Sequence, residues 1–156
     1  MCGIAGALIY SGGGQVAKSD LAGMCRSMAH RGPDAEGTWL SGDAKVGLAH
    51  RRLTIIDLAD EAGQPMANED GEILVTYNGE IYNHAVLRSE LIAAGHRFRT
   101  DHSDTEVVAH GYEEWGLDGL LQRLEGMFAF AVWDNRTRTL FLARDRFGEK
   151  PLYWGK

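Results

Sequence analysis

Apolar residues along the chain fall into short continuous runs separated by polar, glycine-rich segments. The runs Gly3–Ile9, Ile73–Tyr77 and Met127–Asp134 predict buried strands, because a strand covered on both faces lacks polar alternation. Further strands are predicted at residues 36–41 and 45–53 around a turn at Gly42-Asp43, at 139–143, and at 151–154.

Apolar residues at helical spacing predict three helices. The first carries its stripe at positions 21, 24, 25 and 28 and stops at Gly32-Pro33. The second is expected to run from an Asn83 N-cap to Gly95. The third opens at Ser103–Glu106, which has the spacing of a capping box, and ends at Gly116.

The order of these elements predicts an α+β fold. Hairpin-like strands dominate and the helices are inserted in groups, which favours mostly antiparallel sheets over alternating βαβ units. Two sheets with helices outside would cover both faces of the apolar strands. The 156 residues suit one domain spanning 1–156.

Composition narrows the classes of partner and the cellular setting. The formal net charge is −6 and no block of five like charges occurs, so a nucleic-acid partner is not expected. The longest apolar run, Met127–Trp133, is too short to cross a bilayer. Two cysteines, Cys2 and Cys25, cannot form a disulfide framework, and we expect a reducing, cytoplasmic setting.

Cys2 is the first candidate for catalysis. Removal of Met1 would leave a thiol and a free α-amino group on the same residue, and such an amine has a pKa of about 7.7–8.0. It can therefore act as general base toward the thiol without a histidine. The alternative is that a cysteine merely happens to follow the initiator methionine.

Asn78-Gly79 has two interpretations. Asn-Gly between apolar residues is a strong signal for a two-residue hairpin turn. An Asn side-chain amide beside a glycine N–H can also form an oxyanion hole for a tetrahedral intermediate.

Charged residues offer ways to hold an amino-acid substrate. Arg52, at the end of a predicted strand, has the fork that binds a carboxylate, although Arg51-Arg52 also reads as a solvated basic pair. Asp104 can hold an ammonium group or simply favour the start of its helix.

Other polar segments carry weaker signals. The loop His30–Asp34 either orders the edge of a site or stops a helix. Ser11–Gly14 resembles a pyrophosphate loop, but Gln15-Val16 stand where an Asp-Ser pair is needed, so phosphate binding is not expected. The histidines show no metal-ligand spacing, and no metal site is predicted.

Seven ordered segments together resemble the class II glutamine amidotransferase family. They are Met-Cys-Gly-Ile-Ala-Gly, His-Arg-Gly-Pro-Asp, Ala-His-Arg-Arg-Leu-Thr-Ile-Ile-Asp, Tyr-Asn-Gly-Glu-Ile-Tyr-Asn, Ser-Asp-Thr-Glu, Leu-Glu-Gly-Met-Phe-Ala-Phe-Ala-Val-Trp-Asp and Ala-Arg-Asp-Arg-Phe-Gly-Glu-Lys-Pro-Leu-Tyr-Trp. Within that family the string is most similar to the glutamine-hydrolysing asparagine synthetases.

The resemblance implies a fold, a set of roles and a reaction. The fold is the four-layer αββα N-terminal-nucleophile fold. Glutamine hydrolysis to glutamate and ammonia would proceed through a Cys2 thioester. Asn78 and Gly79 would form the oxyanion hole. The implied substrate contacts are Arg52, Leu53, Ile55, Ile56, Asn78, Glu80 and Asp104.

The resemblance also sets expectations about what lies outside the chain. Members of the family continue into a synthetase domain that uses ATP and Mg²⁺ to activate aspartate, so this chain resembles a fragment clipped near its C-terminus, with no cofactor of its own. A homodimer is allowed and no membrane partner is expected. Two alternatives stay open: a glutaminase domain of a sugar-phosphate, phosphoribosyl or polysaccharide amidotransferase, or a non-catalytic glutamine-binding module, which a retained Met1 would favour.

Overall fold

The computed structural model describes residues 2–53 and 63–156. Within them the elements follow in this order: β1 (Gly3–Leu8), α1 (Lys18–Ser27), β2 (Ala35–Leu40), β3 (Val46–Arg52), β4 (Met66–Ala67), β5 (Ile73–Ile81), α2 (His84–Ala94), α3 (Asp104–Arg123), β6 (Gly126–Asp134) and β7 (Thr139–Arg144).

The strands form two antiparallel sheets. The first sheet has the order β1-β3-β2, with Gly3 opposite Arg51. The second has the order β4-β5-β6-β7, with Asn78 opposite Ala129. Every pairing joins strands of opposite direction, which confirms the expectation of antiparallel sheets.

The two sheets stack between helices. Leu21 and Cys25 of α1 pack on Ala49 of the first sheet. The second sheet packs its other face against α2 and α3, where Phe130 and Val107 lie in one buried cluster. Side chains from both sheets meet in the middle in the cluster of Val46, Leu48, Leu74, Ala131 and Trp133. The result is the four-layer αββα arrangement, as predicted.

Two strand predictions are corrected by the structure. The segment 151–154 is not a strand: it bonds to no neighbouring strand among the described residues, and Tyr153 and Trp154 are 89% and 80% exposed. The hairpin interpretation of Asn78-Gly79 is also wrong. Both residues lie inside β5, which continues to Ile81 because β6 pairs along its whole length.

The helix boundaries are largely as predicted, with different chemistry at the caps. Gly95 adopts a left-handed φ of 110° and ends α2. The capping box at Ser103 is absent, because the Glu106 carboxylate instead accepts hydrogen bonds from Arg99 and Thr100 in the preceding loop. Gly116 breaks the helical geometry of α3, but the helix resumes and reaches Arg123.

The helices are also informative about membranes. Among the parts of the chain that the structure describes, none has both the length and the apolar character needed to cross a bilayer.

Candidate active site

The first sheet places Cys2 and Arg52 on one face. In β3, Leu48 packs between the sheets while Ala49 packs against α1, so Arg52 shares the inter-sheet face with Leu48. In β1, Ala5 packs on the α1 side, which puts Cys2, three residues earlier, on the opposite face. Both side chains therefore face the second sheet.

The second sheet places Asn78 and Glu80 on its inner face, which is opposite the face that carries Cys2 and Arg52. Leu74 of β5 lies in the inter-sheet cluster, and the Thr76 hydroxyl donates to the Ala49 carbonyl oxygen at 3.4 Å. Side chains alternate along a strand, so the even-numbered Asn78 and Glu80 share this face. Since Leu74 meets Leu48 and Thr76 meets Ala49, Asn78 and Glu80 continue toward the end of β3 that carries Arg52.

The free edge of β5 carries a row of backbone donors. Tyr77 N–H donates to Gln64 Oε1 at 2.7 Å, and Ile81 N–H donates to Asp104 Oδ2 at 3.0 Å. Odd-numbered residues of β5 thus direct their N–H groups away from β6. The N–H of Gly79 lies between these two donors and points to the same edge.

Gly79 is held in place by its neighbour on β6. A Cβ at this position would lie 2.7 Å from Phe128 Cα and would overlap the Met127 carbonyl oxygen. Residue 79 must therefore be glycine if β5 and β6 are to keep this register, and the register sets the direction of its N–H.

Asp104 lies at the same edge, at the start of α3. Its Oδ2 accepts hydrogen bonds from the Tyr77 hydroxyl at 2.6 Å and from Ile81 N–H. Burial raises the pKa of Asp104, although these two hydrogen bonds and the charge of His84 act in the opposite direction.

The pKa of Tyr77 reports which charges surround the site. Burial and then the Asp104 carboxylate raise it well above its usual value, and the charges of Glu80 and Cys2 raise it further. Of these residues, Asp104 contacts the Tyr77 hydroxyl directly, at 2.6 Å.

The two cysteines lie in contrasting environments. Cys2 is half-buried, and its Sγ lies 3.8 Å from the carbonyl oxygen of Leu53, itself half-buried. Cys25 is fully buried under the first sheet, and burial raises the pKa of its thiol. Cys2 is thus the accessible thiol of the described chain, and Cys25 is a core residue.

Arg51 and Arg52 divide the predicted roles between them. Arg51 donates to the Gly32 carbonyl oxygen and to the Glu36 carboxylate, both at 2.7 Å, which ties the His30–Asp34 loop to β3. The Arg52 carbonyl oxygen accepts from Asp34 N–H at 3.1 Å, while its side chain faces the second sheet. The solvated-pair interpretation therefore does not describe Arg51, which is a structural residue.

The structure brings most of the predicted site residues to one end of the inter-sheet space. These are Cys2, Arg52, Leu53, Asn78, Gly79 and Glu80, with Asp104 at the adjoining edge of β5. Ile55 and Ile56 lie outside the described residues. Sequence reasoning missed Tyr77 and Gln64: Tyr77 occupies a core-facing position of its strand, and only its partner Asp104 distinguishes it from an ordinary core aromatic.

Residues 1–156 match the sequence model of a protein family that is described as a glutamine amidotransferase domain. The chain belongs to this glutamine amidotransferase family. Asparagine synthetase 1 of Arabidopsis thaliana, described as glutamine-hydrolysing, is 45% identical over 157 residues, covering 99% of this chain and 26% of the relative. Asparagine synthetase 2 of Bacillus subtilis, described in the same way, is 44% identical over 156 residues, with 99% and 20% covered.

A solved amidotransferase supports the fold at lower identity. The B. subtilis glutamine phosphoribosylpyrophosphate amidotransferase, in complex with ADP and GMP, superimposes with a TM-score of 0.66 at 22% identity, covering 91% of this chain and 37% of that one. The chain has the fold of this neighbour. It spans about a quarter of the length of the two asparagine synthetases.

Proposed function

We propose that this amidotransferase domain hydrolyses glutamine to glutamate and ammonia through a thioester on Cys2. The observation that supports the proposal is the half-buried Cys2 thiol, which strand alternation turns toward the sheet that carries Asn78 and Gly79. Glutamine is the substrate that the family description and the names of the relatives support.

The nucleophile and its base belong to one residue. Once Met1 is removed, the α-amino group of Cys2 takes the thiol proton as the sulfur attacks the side-chain carboxamide carbon of glutamine. The C–N bond then breaks and the same proton passes to the departing nitrogen, which leaves as ammonia. Water, deprotonated by the amine, attacks the thioester and releases glutamate with the free thiol.

Asn78 and Gly79 supply the stabilisation of the tetrahedral intermediate. The Asn78 side-chain amide faces the first sheet, and the Gly79 N–H points to the uncovered edge of β5. Two preorganised donors aimed at a developing oxyanion contribute more than any other single feature of such sites, and each is worth about 10²–10³ in turnover.

The charged residues account for recognition of a free amino acid. Arg52 binds the α-carboxylate with its fork, and Glu80 and Asp104 meet the α-ammonium. Asp104 already uses Oδ2 for Tyr77 and Ile81, so the ammonium would contact Oδ1. Leu53, with Ile55 and Ile56, would form the apolar wall beside the substrate methylenes.

The released ammonia would be used by the synthetase half of a full-length enzyme. We assign this domain to the glutaminase half of an asparagine synthetase, a cytoplasmic ligase of amino-acid biosynthesis whose synthetase half uses ATP and Mg²⁺. The support is 44–45% identity to two such relatives over nearly the whole chain. This domain itself needs no cofactor for the thioester route.

The decisive test is glutamate release from glutamine by chain whose N-terminus has been verified by intact-mass measurement. We expect release from the form that begins at Cys2 and none from Cys2→Ala. Cys25→Ala, the matched removal of a thiol, should retain the activity if its fold is intact by circular dichroism. Equal release by Cys2→Ala and the parent chain would refute the proposal.

A second assay separates the two alternatives. Isothermal titration with glutamine distinguishes a binding module from an enzyme, because a non-catalytic module would bind glutamine without releasing glutamate. Ammonia transfer to aspartate by the full-length enzyme distinguishes an asparagine synthetase from an amidotransferase with another acceptor.

A further inference from the structure

Three side chains from separate elements converge away from the thiol site. Glu69 lies in the turn between β4 and β5, His96 directly follows the Gly95 cap of α2, and His110 lies in α3. Together with Glu113, each offers one ligand-type atom, and these four atoms all lie within 4.8 Å of one another. The glutaminase mechanism uses none of them.

His110 is the least satisfied member of this group. Its side chain is 1% exposed, and neither ring nitrogen makes a hydrogen bond within the described chain. Nδ1 lies 3.1 Å from Glu69 Oε2, and Nε2 lies 3.5 Å from Glu106 Oε1. A buried imidazole without hydrogen bonds is costly, and a Glu69 oxygen lies 3.1 Å from its Nδ1 without accepting a hydrogen bond from it.

His96 repeats the same arrangement from the other side. Its Nδ1 lies 3.6 Å from Glu69 Oε1, and its Nε2 lies 3.2 Å from Glu114 Oε2. Each histidine thus has Nδ1 near Glu69 and Nε2 near a second carboxylate, and the hydrogen bond to that second carboxylate is formed at His96. Metal-binding histidines commonly have this environment, with the outer nitrogen donating to a carboxylate that fixes the tautomer.

We propose that Glu69, His96 and His110 bind a divalent transition-metal ion of the zinc class. Ligand bonds of about 2.0–2.2 Å in a tetrahedral site place neighbouring ligand atoms about 3.3–3.5 Å apart. Glu69 Oε2 lies 3.1 Å from His110 Nδ1, and its other oxygen, Oε1, lies 3.6 Å from His96 Nδ1. One ligand-type atom of each residue lies within 4.8 Å of the others, so small side-chain rotations would bring them to that spacing. Two imidazoles with one carboxylate suit Zn²⁺ or Co²⁺ rather than Mg²⁺ or Ca²⁺.

Glu113 has a supporting position in this site. Its Oε2 accepts from Asn68 at 2.7 Å and its Oε1 from Arg136 at 2.6 Å, so both oxygens are engaged by donors. Glu69 Oε1 also accepts a hydrogen bond, from Arg97 N–H at 2.8 Å, but Glu113 has side-chain donors on both oxygens and is the weaker ligand. We assign the fourth position to water. The cluster opens to solvent through a shallow cavity of about 390 Å³ lined by Glu69, Asp70, Gly95, His96, Arg97 and Glu113.

The ion would stabilise the part of the molecule that carries Asp104. His110 lies six residues beyond Asp104 on α3, about 9 Å along the helix axis. A metal joining the β4–β5 turn, the end of α2 and α3 would hold that segment against the second sheet. The role is structural, so the site can be tested without glutaminase activity.

The test is titration of chelator-treated chain with Co²⁺ and Zn²⁺ in a Cys2→Ala background. That background is required because an N-terminal cysteine chelates metals with its thiol and amine. We expect a single equivalent of Co²⁺, with the visible absorption of a four-coordinate site, and an increase in thermal midpoint on adding Zn²⁺.

Variants identify the ligands and separate them from their supports. His96→Gln should weaken Co²⁺ binding at least about 100-fold. The His96 side chain is 12% exposed, so this substitution puts folding least at risk. Glu114→Gln should weaken Co²⁺ binding about 10–100-fold, as for loss of an outer carboxylate. The exposed His102→Gln is the matched control and should bind like the parent. Absence of Co²⁺ binding, or unchanged binding by correctly folded His96→Gln, would overturn the proposal and leave a cluster of ion pairs.

Discussion

The Tyr77 hydroxyl donates a 2.6 Å hydrogen bond to Asp104, joining the strand that carries Asn78 and Gly79 to the first turn of α3. The same carboxylate oxygen accepts from Ile81 N–H. One side chain therefore fixes both ends of the β5 segment that contains the proposed oxyanion hole.

Tyr77→Phe tests this connection. Removal of the hydroxyl leaves the Asp104 carboxylate without one partner in a buried position, and we expect a loss of about 1.5–3 kcal/mol in the free energy of unfolding. If Asp104 also meets the substrate ammonium, KM for glutamine should rise more than kcat falls. Urea denaturation and steady-state kinetics measure the two effects. Tyr112→Phe, which breaks a 2.9 Å bond to Asp134, should change stability but leave KM unaffected.

Gly79→Ala tests the packing that orients the Gly79 N–H. The added Cβ meets the backbone of β6, which cannot move without breaking the strand pairing, so we expect about 1–3 kcal/mol of destabilisation together with loss of activity. Gly13→Ala is the control, because its Cβ would meet nothing within 4 Å. A stable and fully active Gly79→Ala chain would contradict the assignment of this N–H.

Asn78→Ala tests the side-chain donor separately. We expect kcat to fall by about 10²–10³, because one oxyanion donor is removed from a site that otherwise persists. Glutamine should still bind, as Arg52 and Glu80 are untouched. A change confined to KM would instead assign Asn78 to ground-state binding.

Asp145→Asn tests the structural role of the last segment of the resemblance, which begins Ala-Arg-Asp-Arg-Phe-Gly. The Asp145 carboxylate accepts backbone N–H bonds from Phe128, Phe147, Glu149 and Lys150. Replacing one oxygen by an NH₂ group turns acceptor into donor, and we expect about 1–3 kcal/mol of lost stability with glutamine KM unchanged. Thermal denaturation alongside kinetics measures both.

The sheets could be predicted locally because most of their strands are short continuous runs of apolar residues. The apolar runs around Val75 and Phe130 each form a buried strand, and Gly95 ends its helix as expected. The run around Ala5 also forms a strand, but this one is only half-buried, with Leu8 36% exposed. The resemblance supplied the site residues, and period-two alternation then explains why Cys2 and Asn78 face each other.

Features that depend on distant partners could not be predicted from spacing. Asn78-Gly79 has the sequence of a turn, yet pairing with β6 holds it in a strand. Glu106 has the spacing of a capping box, yet its buried carboxylate accepts from Thr100 in the preceding loop instead. Likewise, His96 and His110 show no ligand spacing along the chain, because separate elements bring them together.

The free energy of unfolding should depend on pH through the protonation of His50. Burial, assisted by the charge of Arg52 and opposed by a hydrogen bond with the Tyr77 backbone, lowers the pKa of His50 to about 4 from an ordinary value of 6.5. The unfolded chain therefore binds a proton at this residue between pH 6.5 and 4 while the folded chain does not. The free energy of unfolding should fall as pH drops through this window, by about 1.4 kcal/mol per unit and about 3 kcal/mol in total.

His50→Gln isolates this contribution, since glutamine does not titrate and its stability curve should be flatter between pH 6.5 and 4. Burial raises the pKa of Glu106, but contacts with His110, Arg99 and Thr100 outweigh it and lower the pKa from 4.5 to about 2. Protonation of Glu106 on acidification therefore also lowers the free energy of unfolding. This loss begins near pH 4.5 and is complete only near pH 2, so it lies mainly below the His50 window. Denaturant unfolding of both chains at intervals from pH 7 to pH 4 separates the two, and parallel curves above pH 4.5 would show that His50 is not neutral in the folded state.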